Sequence, residues 1–320
     1  MFFRLRARYL VANRLTLGAT EARQKGLFLH KMLDVELRLA NAGEDVPSDG
    51  DQAVPVIAIA PPQDERSNYA VGESFEFDIN VFTRTPDTLA IVAMALSRLA
   101  GSGGKRVEPM LQLIRLSAVT PGRLPLTLYD ADSQPDFLEL DTPAIDVDAL
   151  CAPIAVAQGA LSLDTVTPLI ITSSTKRRLG LNAEAPKLGR LVRAVLRRCN
   201  DCWPEALVAL TRQTKRDALE AHADGLDRNK GAVLEEPSPA DALRYRSSTH
   251  ATPLRFAGYT GRIVVNDGWQ PLLPVLRVGS WTQVGQKTAL GFGVYRLSMI
   301  APINAGDLSA TSFSTVNQWG

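Results

Sequence analysis

Hydrophobic and polar positions in the first third of the chain follow two different periods. They alternate from Phe2 to Asn13 and from Ser74 to Phe82, which is typical of half-buried strands. From Glu21 to Ala40 and from Thr88 to Ala100 the apolar residues favour helices. Further strands are predicted around Val54–Ile59, Leu111–Val119 and Leu124–Tyr129. This βαββαβ-like order predicts a ferredoxin-like domain, in which two helices cover one face of an antiparallel sheet.

The pattern breaks over residues 131–158, which are rich in Asp, Pro and Ala and predict a linker. Strands and helices then resume and close a second ferredoxin-like unit. Residues Asn304 to Gly320 are rich in Ser, Thr and Ala and predict a loosely held end. The second half is predicted to contain a strand over Ala160–Ile171, helices over Leu188–Cys202 and Pro204–Ala223, an exposed loop over residues 224–242 and a strand over Phe256–Val265.

Size and composition are those of an ordinary globular protein. A chain of 320 residues is long enough for two domains. A composition of 45% hydrophobic and 22% charged residues is typical of a folded protein and does not predict disorder. No stretch approaches the ~18–20 apolar residues of a membrane-spanning helix. The first nine residues alternate apolar and basic positions and lack the apolar core of a signal peptide. These features predict a cytoplasmic protein that does not enter a membrane.

The near-neutral net charge of +1 conceals an asymmetry between the halves. Residues 1–150 hold 15 Lys and Arg against 21 Asp and Glu, which gives −6. Residues 151–320 hold 20 against 13, which gives +7. A basic half suits a phosphate backbone. A solvated basic face with no ligand is the alternative.

The stretch from Val284 to Gly293 is the most informative part of the sequence. It places three glycines, Lys287 and Thr288 in one turn, and a strand resumes at Val294. Glycine lets the backbone approach a ligand closely, and a lysine with a hydroxyl suits a sugar-phosphate chain. A bulge or tight hairpin before the strand would explain the same glycines without a ligand.

The order of motifs around this loop resembles a known family. A strand with two glycines, Phe256–Val265, is followed by the turn Asn266-Asp267-Gly268, the apolar run Leu272–Leu276 and the glycine loop. This order resembles the C-terminal signature of the CRISPR-associated endoribonucleases that process precursor crRNA, members of the RAMP superfamily. Upstream, the resemblance is carried by Leu161–Asp164 with Thr167-Pro168, by Pro61-Pro62, by Tyr69–Glu73 and by the strand Phe75–Phe82.

The resemblance implies an α+β fold of two tandem ferredoxin-like (RAMP) domains, at residues 1–135 and 159–320, joined by a linker at 136–158. It implies metal-independent cleavage of CRISPR repeat RNA, without a cofactor, by an enzyme that retains its crRNA product. The RNA partner would be a repeat stem-loop, and other subunits of a CRISPR effector complex are further candidate partners. One alternative is a non-catalytic subunit that holds crRNA in such a complex. Another is a ferredoxin-like protein that binds a nucleotide or metabolite.

Few side chains can move protons near neutral pH in this chain. The family often places a base on the leading helix with a lysine nearby, and His30 and Lys31 match that pattern. A helix-surface histidine without a role is the alternative. His250 ends the stretch Arg244–His250, which resembles a segment of the family that approaches RNA. It is therefore a second candidate for the acid or base. An RNA contact or an ordinary loop residue is the alternative. His222 is expected at a helix end as a structural residue.

Two further observations bear on the chemistry. The family's partnering tyrosine has no clear equivalent, although Tyr9 and Tyr69 are possible. Cys199 and Cys202 have CxxC spacing but lack a second ligand pair, so no zinc site is predicted.

The predicted RNA-binding residues are cationic, hydroxyl-bearing or glycine positions of the second half. Three arginines of the helix Leu188–Cys202 share one face at helical spacing, namely Arg190, Arg193 and Arg197, and this pattern also fits a solubilising stripe. The set comprises Lys176, Arg177, Arg178, Arg190, Arg193, Arg197, Arg244, Arg246, Ser247, Gly285, Lys287, Thr288, Gly291 and Gly293.

Overall fold

The structure is a computed structural model of the full chain. It describes residues 1–18, 25–42, 56–64, 66–83, 85, 87–99, 110–132, 142–152, 159–171, 186–245, 254–300 and 316–319.

Contacts between Cα atoms divide the chain into two compact units. The first unit comprises Met1–Ile145 together with the short segment Thr288–Gly291. The second unit comprises Asp146–Lys287 and Phe292–Gly320. None of the helices in the described ranges is long and apolar enough to span a bilayer.

The first unit contains two helices and a five-stranded sheet in the order predicted. The sheet order is β3-β5-β1-β6-β7, and every neighbouring pair is antiparallel. Strands β3, β5, β1 and β6 with the two helices have the ferredoxin-like arrangement, and β7 adds an edge. A small second sheet pairs β2 with β4. The elements of the first unit are β1 (Phe2–Val11), β2 (Leu15–Thr16), α1 (Lys25–Ala42), β3 (Val56–Ala60), β4 (Asn68–Tyr69), β5 (Ser74–Phe82), α2 (Asp87–Arg98), β6 (Leu111–Ala118) and β7 (Leu126–Asp130).

The core of the first unit lies between the helices and one face of the sheet. Alternate residues of β1, among them Leu5, Ala7 and Tyr9, are buried there with apolar residues of α1 and α2. Tyr9 stacks on Phe77 of β5 at 5.8 Å between ring centroids. Period-two alternation in the strand therefore places its apolar set on the helix side, as the sequence predicts.

The second unit repeats this arrangement. Its sheet order is β12-β11-β8-β10-β9, in which β11, β8, β10 and β9 form the ferredoxin-like core. The predicted α+β fold of two ferredoxin-like domains is thus confirmed. The elements of the second half of the chain are α3 (Val147–Cys151), β8 (Ala160–Thr165), α4 (Leu188–Cys202), α5 (Pro204–Thr211), α6 (Arg216–Arg228), β9 (Ala232–Tyr245), β10 (Leu254–Val265), α7 (Leu273–Thr282), β11 (Tyr295–Ile300) and β12 (Val316–Trp319), with single 3-10 turns at Gln270–Leu272 and Thr288–Leu290.

Several predictions for the second half were wrong in detail. Residues 224–242 do not form an exposed loop, because α6 continues to Arg228 and β9 begins at Ala232. β9 is an edge strand, where prolines are tolerated because one row of N–H groups has no partner. The predicted helix Pro204–Ala223 is two helices, α5 and α6. The predicted strand over Ala160–Ile171 ends at Thr165, shortly before Pro168.

Two ends also differ from expectation. Val316–Trp319 at the end of the chain is paired with β11 rather than loosely held, while Asn304 to residue 315 lie outside the described residues. The helix Val147–Cys151 lies inside the segment predicted as a linker, and the boundary between the units falls after Ile145.

Helix α4 is positioned by α6 through a glycine and two carboxylates. The Asp227 carboxylate accepts hydrogen bonds from the backbone N–H groups of Leu188 and Gly189, at 3.0 and 2.9 Å, and so caps α4. A Cβ at Gly189 would lie 2.0 Å from Oδ1 of Asp224. Gly189 therefore permits the close packing of the two helices.

Replacing Gly189 by Ala should destabilise the second unit by about 1–3 kcal/mol, because the new methyl must displace Asp224. Gly225→Ala is the matched control, since nothing lies within 4 Å of its Cβ position in α6. It should be neutral or stabilise by about 0.5–1 kcal/mol through helix propensity. Denaturant unfolding measures both, and equal effects of the two substitutions would contradict the packing described here.

Candidate functional site

Two glycines of the glycine loop, Val284–Gly293, are required by the protein's own backbone. Gly285 has φ 95°, and a Cβ there would lie 2.7 Å from the carbonyl oxygen of Ile170. Gly293 has φ 85°, and its Cβ would lie 2.0 Å from the carbonyl oxygen of Val284. A hydrogen bond of 2.9 Å from Val284 N–H to Gly293 O closes the loop. Internal packing thus accounts for both glycines without a ligand.

The middle of the loop, Thr288–Gly291, packs within the first unit against the beginning of α1. A Cβ at Gly26 would lie 2.4 Å from the carbonyl oxygen of Leu290 and 2.7 Å from the Cα of Gly291. A Cβ at Gly291 would meet the Cα of Gly26 at 2.9 Å and Pro61 at 3.2 Å. Two glycines therefore face each other where α1 begins. Thr288 and Gly291 are buried in this arrangement, as is Gly293.

Lys287 is the exposed residue of the predicted loop set. Its φ of 63° lies in the left-handed region, which non-glycine residues rarely occupy. Gln283, which precedes the loop, has φ 59° and is fully buried. Such backbone conformations cost about 1–3 kcal/mol and cluster at functional sites. The loop therefore combines an exposed cation with a strained main chain.

His30 lies on the same face of α1 as Gly26, the residue that packs against Leu290 and Gly291. It follows Gly26 by four residues, and residues four apart are neighbours on one helix face, about 6 Å along the axis. His30 is half-buried and Lys31, the next residue, is exposed. The structure therefore places the sequence-predicted histidine one helical turn beyond Gly26, which contacts Leu290 and Gly291.

A charged network around the buried side chain of Lys25 holds the beginning of α1. The Lys25 side chain is 1% exposed, and its Nζ lies 2.6 Å from Oδ1 of Asp64, whose backbone carbonyl it also contacts. The Tyr69 hydroxyl donates to the same carboxylate at 2.7 Å. Arg66 pairs with Asp64 at 3.3 Å and lies over the Tyr69 ring at 4.6 Å. Lys25, Asp64 and Arg66 were not predicted as site residues, because their contacts join separated parts of the sequence.

The same network shifts the pKa values of two of its members, Asp64 and Tyr69. Burial by itself raises the pKa of Asp64, but hydrogen bonds from Lys25 and Tyr69 and the charges of Lys25 and Arg66 together lower it below its ordinary value. Burial, and then the bond to Asp64, raise the pKa of Tyr69 above its usual range. Tyr9 is fully buried, and its hydroxyl donates to the Leu96 carbonyl. Neither tyrosine is placed as an exposed partner for His30.

Only part of the predicted arginine face of α4 is exposed and able to contact a ligand. Arg197 is exposed, while Arg190 is half-buried. Arg193 donates to Asp224 at 2.8 Å, and this hydrogen bond raises the pKa of the guanidinium. Arg193 therefore serves helix packing in this structure, which leaves Arg197 as the more accessible cation.

Other predicted residues cannot be placed. Lys176, Arg177 and Arg178 lie outside the described residues, and so do Arg246, Ser247 and His250. The Arg244 backbone lies in β9, paired with Arg255 of β10.

The structure corrects the position expected for His222. His222 lies in the middle of α6 rather than at a helix end, and its Nε2 contacts the carbonyl oxygen of Gly268 at 2.6 Å. Its contact is with the turn before α7, so the helix-dipole argument does not apply.

The cysteines are poorly suited to chemistry. Burial raises the pKa of Cys151 to about 11 and that of Cys199 to about 12, and it also raises the pKa of Cys202. Reactivity belongs to the thiolate, which burial disfavours.

Part of the chain is similar to a known family. Residues 163–295 match the sequence model of the family described as CRISPR-associated endoribonuclease Cas6. No curated protein sequence matches the chain significantly.

Solved structures share the fold. A chain of a partial Cas6-RT-Cas1–Cas2 complex is 12% identical with a TM-score of 0.56, and the match covers 98% of this chain and 48% of that one. A chain of a Cas6-RT-Cas1–Cas2 complex has the same identity and TM-score over 98% and 30%. Cas6 of Thermus thermophilus is 13% identical over 92% and 97%, with a TM-score of 0.49. The chain thus spans about half, or under a third, of the first two polypeptides.

The two ferredoxin-like units and the match over residues 163–295 agree with the resemblance found in the sequence. The match covers 133 of the chain's 320 residues, so Cas6 is the family that this part of the chain resembles.

Replacing Lys25 by Met should destabilise the protein by about 1–3 kcal/mol, because the Asp64 carboxylate, which is 36% exposed and keeps its contacts with Tyr69 and Arg66, loses its buried partner. Arg66→Met is the control, since that side chain is 47% exposed and surface pairs contribute about 0–1 kcal/mol. Denaturant unfolding at neutral pH provides the comparison. Similar losses in both variants would show that Lys25 does not carry the network.

Proposed function

We propose that the chain is a metal-independent endoribonuclease that cleaves CRISPR repeat RNA within precursor crRNA and keeps the crRNA product bound. The observation that carries the proposal is the contact between Thr288–Gly291 and the beginning of α1, one turn before His30. The Cas6 family match supports the choice of RNA as substrate. Because the substrate is a transcript, the proposed place of action is the cytoplasm.

The proposed reaction is an internal transfer at phosphorus. The 2′-hydroxyl loses its proton to a base and attacks the adjacent phosphorus, and the 5′-oxygen leaves with a proton from an acid. The products are a 2′,3′-cyclic phosphate and a 5′-hydroxyl. Proton transfer contributes about 10²–10⁴-fold, and in-line alignment of nucleophile and leaving group can supply much of the remaining acceleration.

His30 is the proposed general acid or base, since imidazole changes charge near neutral pH. Lys31, exposed beside it, is proposed to stabilise negative charge on the phosphorane. His250 is retained as the candidate for the second proton transfer. Lys25 is not assigned a direct role, because its ammonium is buried against Asp64.

RNA binding is assigned to cations and to the loop backbone. Lys287 and Arg197 are exposed and suit phosphate contacts. Duplex RNA is gripped mainly through its shape and phosphates, which fits a repeat stem-loop held by basic groups. Gly285, Gly291 and Gly293 are proposed to act by shaping the loop, and the other predicted cations apart from Arg193 are proposed as further phosphate contacts. Other subunits of a CRISPR effector complex are proposed as possible partners of the crRNA-bound protein.

The alternative is a non-catalytic subunit that holds crRNA in an effector complex. Both functions use the same fold and loop, and they differ in whether a proton-transfer group reaches the scissile phosphate. Incubating the protein with labelled repeat RNA in EDTA separates them. Cleavage that disappears with a 2′-deoxy nucleotide at the cut site supports the nuclease. Tight binding without cleavage supports the subunit instead.

His30→Ala should slow single-turnover cleavage by about 10²–10⁴-fold while RNA affinity changes little. His222→Ala is the control, since this exposed histidine of α6 hydrogen-bonds the carbonyl of Gly268 and is assigned no role in cleavage. Its cleavage rate should match the wild type. An unchanged rate in His30→Ala would move the proton-transfer role to His250 or to positioning alone.

Lys287→Ala should weaken RNA binding and lower the slope of log K against log salt by about one, as expected for one lost phosphate contact. Lys230→Ala is closely matched, because Lys230 is also exposed and also has a left-handed φ, of 56°. Binding titrations at several salt concentrations test the pair. Identical slopes for the two variants would refute a specific contact at Lys287.

A further inference from the structure

The polar face of the second sheet carries a row of charged residues that pair across its strands. The strand register places Arg296 of β11 opposite Asp164 of β8, and Asp164 opposite Arg262 of β10. Arg262 in turn lies opposite Glu235 of β9. One carboxylate therefore lies between two arginines.

Asp164 is committed to one of those arginines. Its Oδ1 accepts from Nε of Arg262 at 2.5 Å. Its Oδ2 accepts from the Ser162 hydroxyl at 2.9 Å and lies 3.5 Å from the Ser298 hydroxyl. Ser162 and Ser298 are themselves buried. Both carboxylate oxygens are thus engaged away from Arg296.

Arg296 remains an exposed guanidinium. Among the residues that the structure describes, no carboxylate pairs with it and no side-chain hydrogen bond is made by it. Arginines on the first sheet behave differently: Arg6 pairs with Asp78 at 2.8 Å and Arg115 with Asp130 at 2.9 Å. Arg296 therefore carries positive charge that its own sheet does not neutralise.

Arg296 also lies close to the glycine loop along the chain. It is three residues beyond Gly293, about 10 Å along an extended strand, and it lies within the basic half of the chain. Its backbone is paired with Asp164 of β8, and the next residue, Leu297, pairs with both β8 and β12, so the side chain projects from a hydrogen-bonded strand. The family match ends at residue 295 and does not cover it.

We propose that Arg296 is an RNA-phosphate-binding residue, and that Asp164 gives Arg262 a structural role instead. The planar guanidinium with five N–H donors suits bidentate contact with a phosphate. The inference rests on the proposed function, because it takes RNA as the ligand.

The test measures binding of a labelled RNA stem-loop with single-stranded flanks, carrying a 2′-deoxy nucleotide at the proposed cut, across a range of salt concentrations. Arg296→Ala should bind several-fold more weakly, with a salt slope lower by about one. Arg296→Lys should keep the wild-type slope, since the charge remains. Thermal unfolding of both should match the wild type because the side chain is exposed.

Arg262→Ala is the matched control, since it flanks the same carboxylate in the same row. It should lose stability and leave the salt slope unchanged. Asp164→Asn should strengthen RNA binding, because it releases the charge of Arg262. Wild-type affinity and slope in Arg296→Ala would overturn the inference while leaving the proposed function intact. Failure of the wild type to bind the stem-loop at low salt would overturn both.

Discussion

The close approach of Gly26 to the backbone of Leu290 and Gly291 is the contact on which the candidate site depends. Any side chain at position 26 would place its Cβ 2.4 Å from a carbonyl oxygen, so the segment Thr288–Gly291 could not lie against α1. Backbone-to-backbone packing of this kind is rigid, because no flexible side chain can absorb a change. It holds this part of the glycine loop one helical turn from His30.

A network of charged side chains lies at the same end of α1 as the contact of Gly26 with the loop. Lys25 brings a buried positive charge to the start of α1, where the helix dipole is also positive, and Asp64 offsets it with help from Tyr69 and Arg66. Such buried pairs seldom add net stability over apolar packing. Specifying one geometry for the start of α1 is therefore the more reasonable role for this network. In the second unit, Asp164 and Asp224 occupy Arg262 and Arg193, so not every arginine remains free to meet a ligand.

Periodicity in the sequence was sufficient for most of the fold. The strand Ser74–Phe82 and the helix Leu188–Cys202 have their predicted bounds, because both carry clear apolar periods. β9 was missed, since Pro237 and Pro239 are typical of loops and only an edge position makes them compatible with a strand. In the site, the glycines could be found from sequence, but their physical reason could not. Likewise, Asp64 and Asp164 act through partners distant in sequence, which no local pattern reveals.

A structure of the protein with repeat RNA that carries a 2′-deoxy nucleotide at the cut tests the central claim most directly. The account predicts that a ring nitrogen of His30 lies within about 3 Å of the leaving 5′-oxygen or of the point that the missing 2′-oxygen would occupy, which is hydrogen-bond reach for proton transfer. It also predicts that the RNA backbone follows the glycine loop past Lys287. Scissile RNA bound away from α1, with no proton-transfer group near the 2′ carbon, would contradict it.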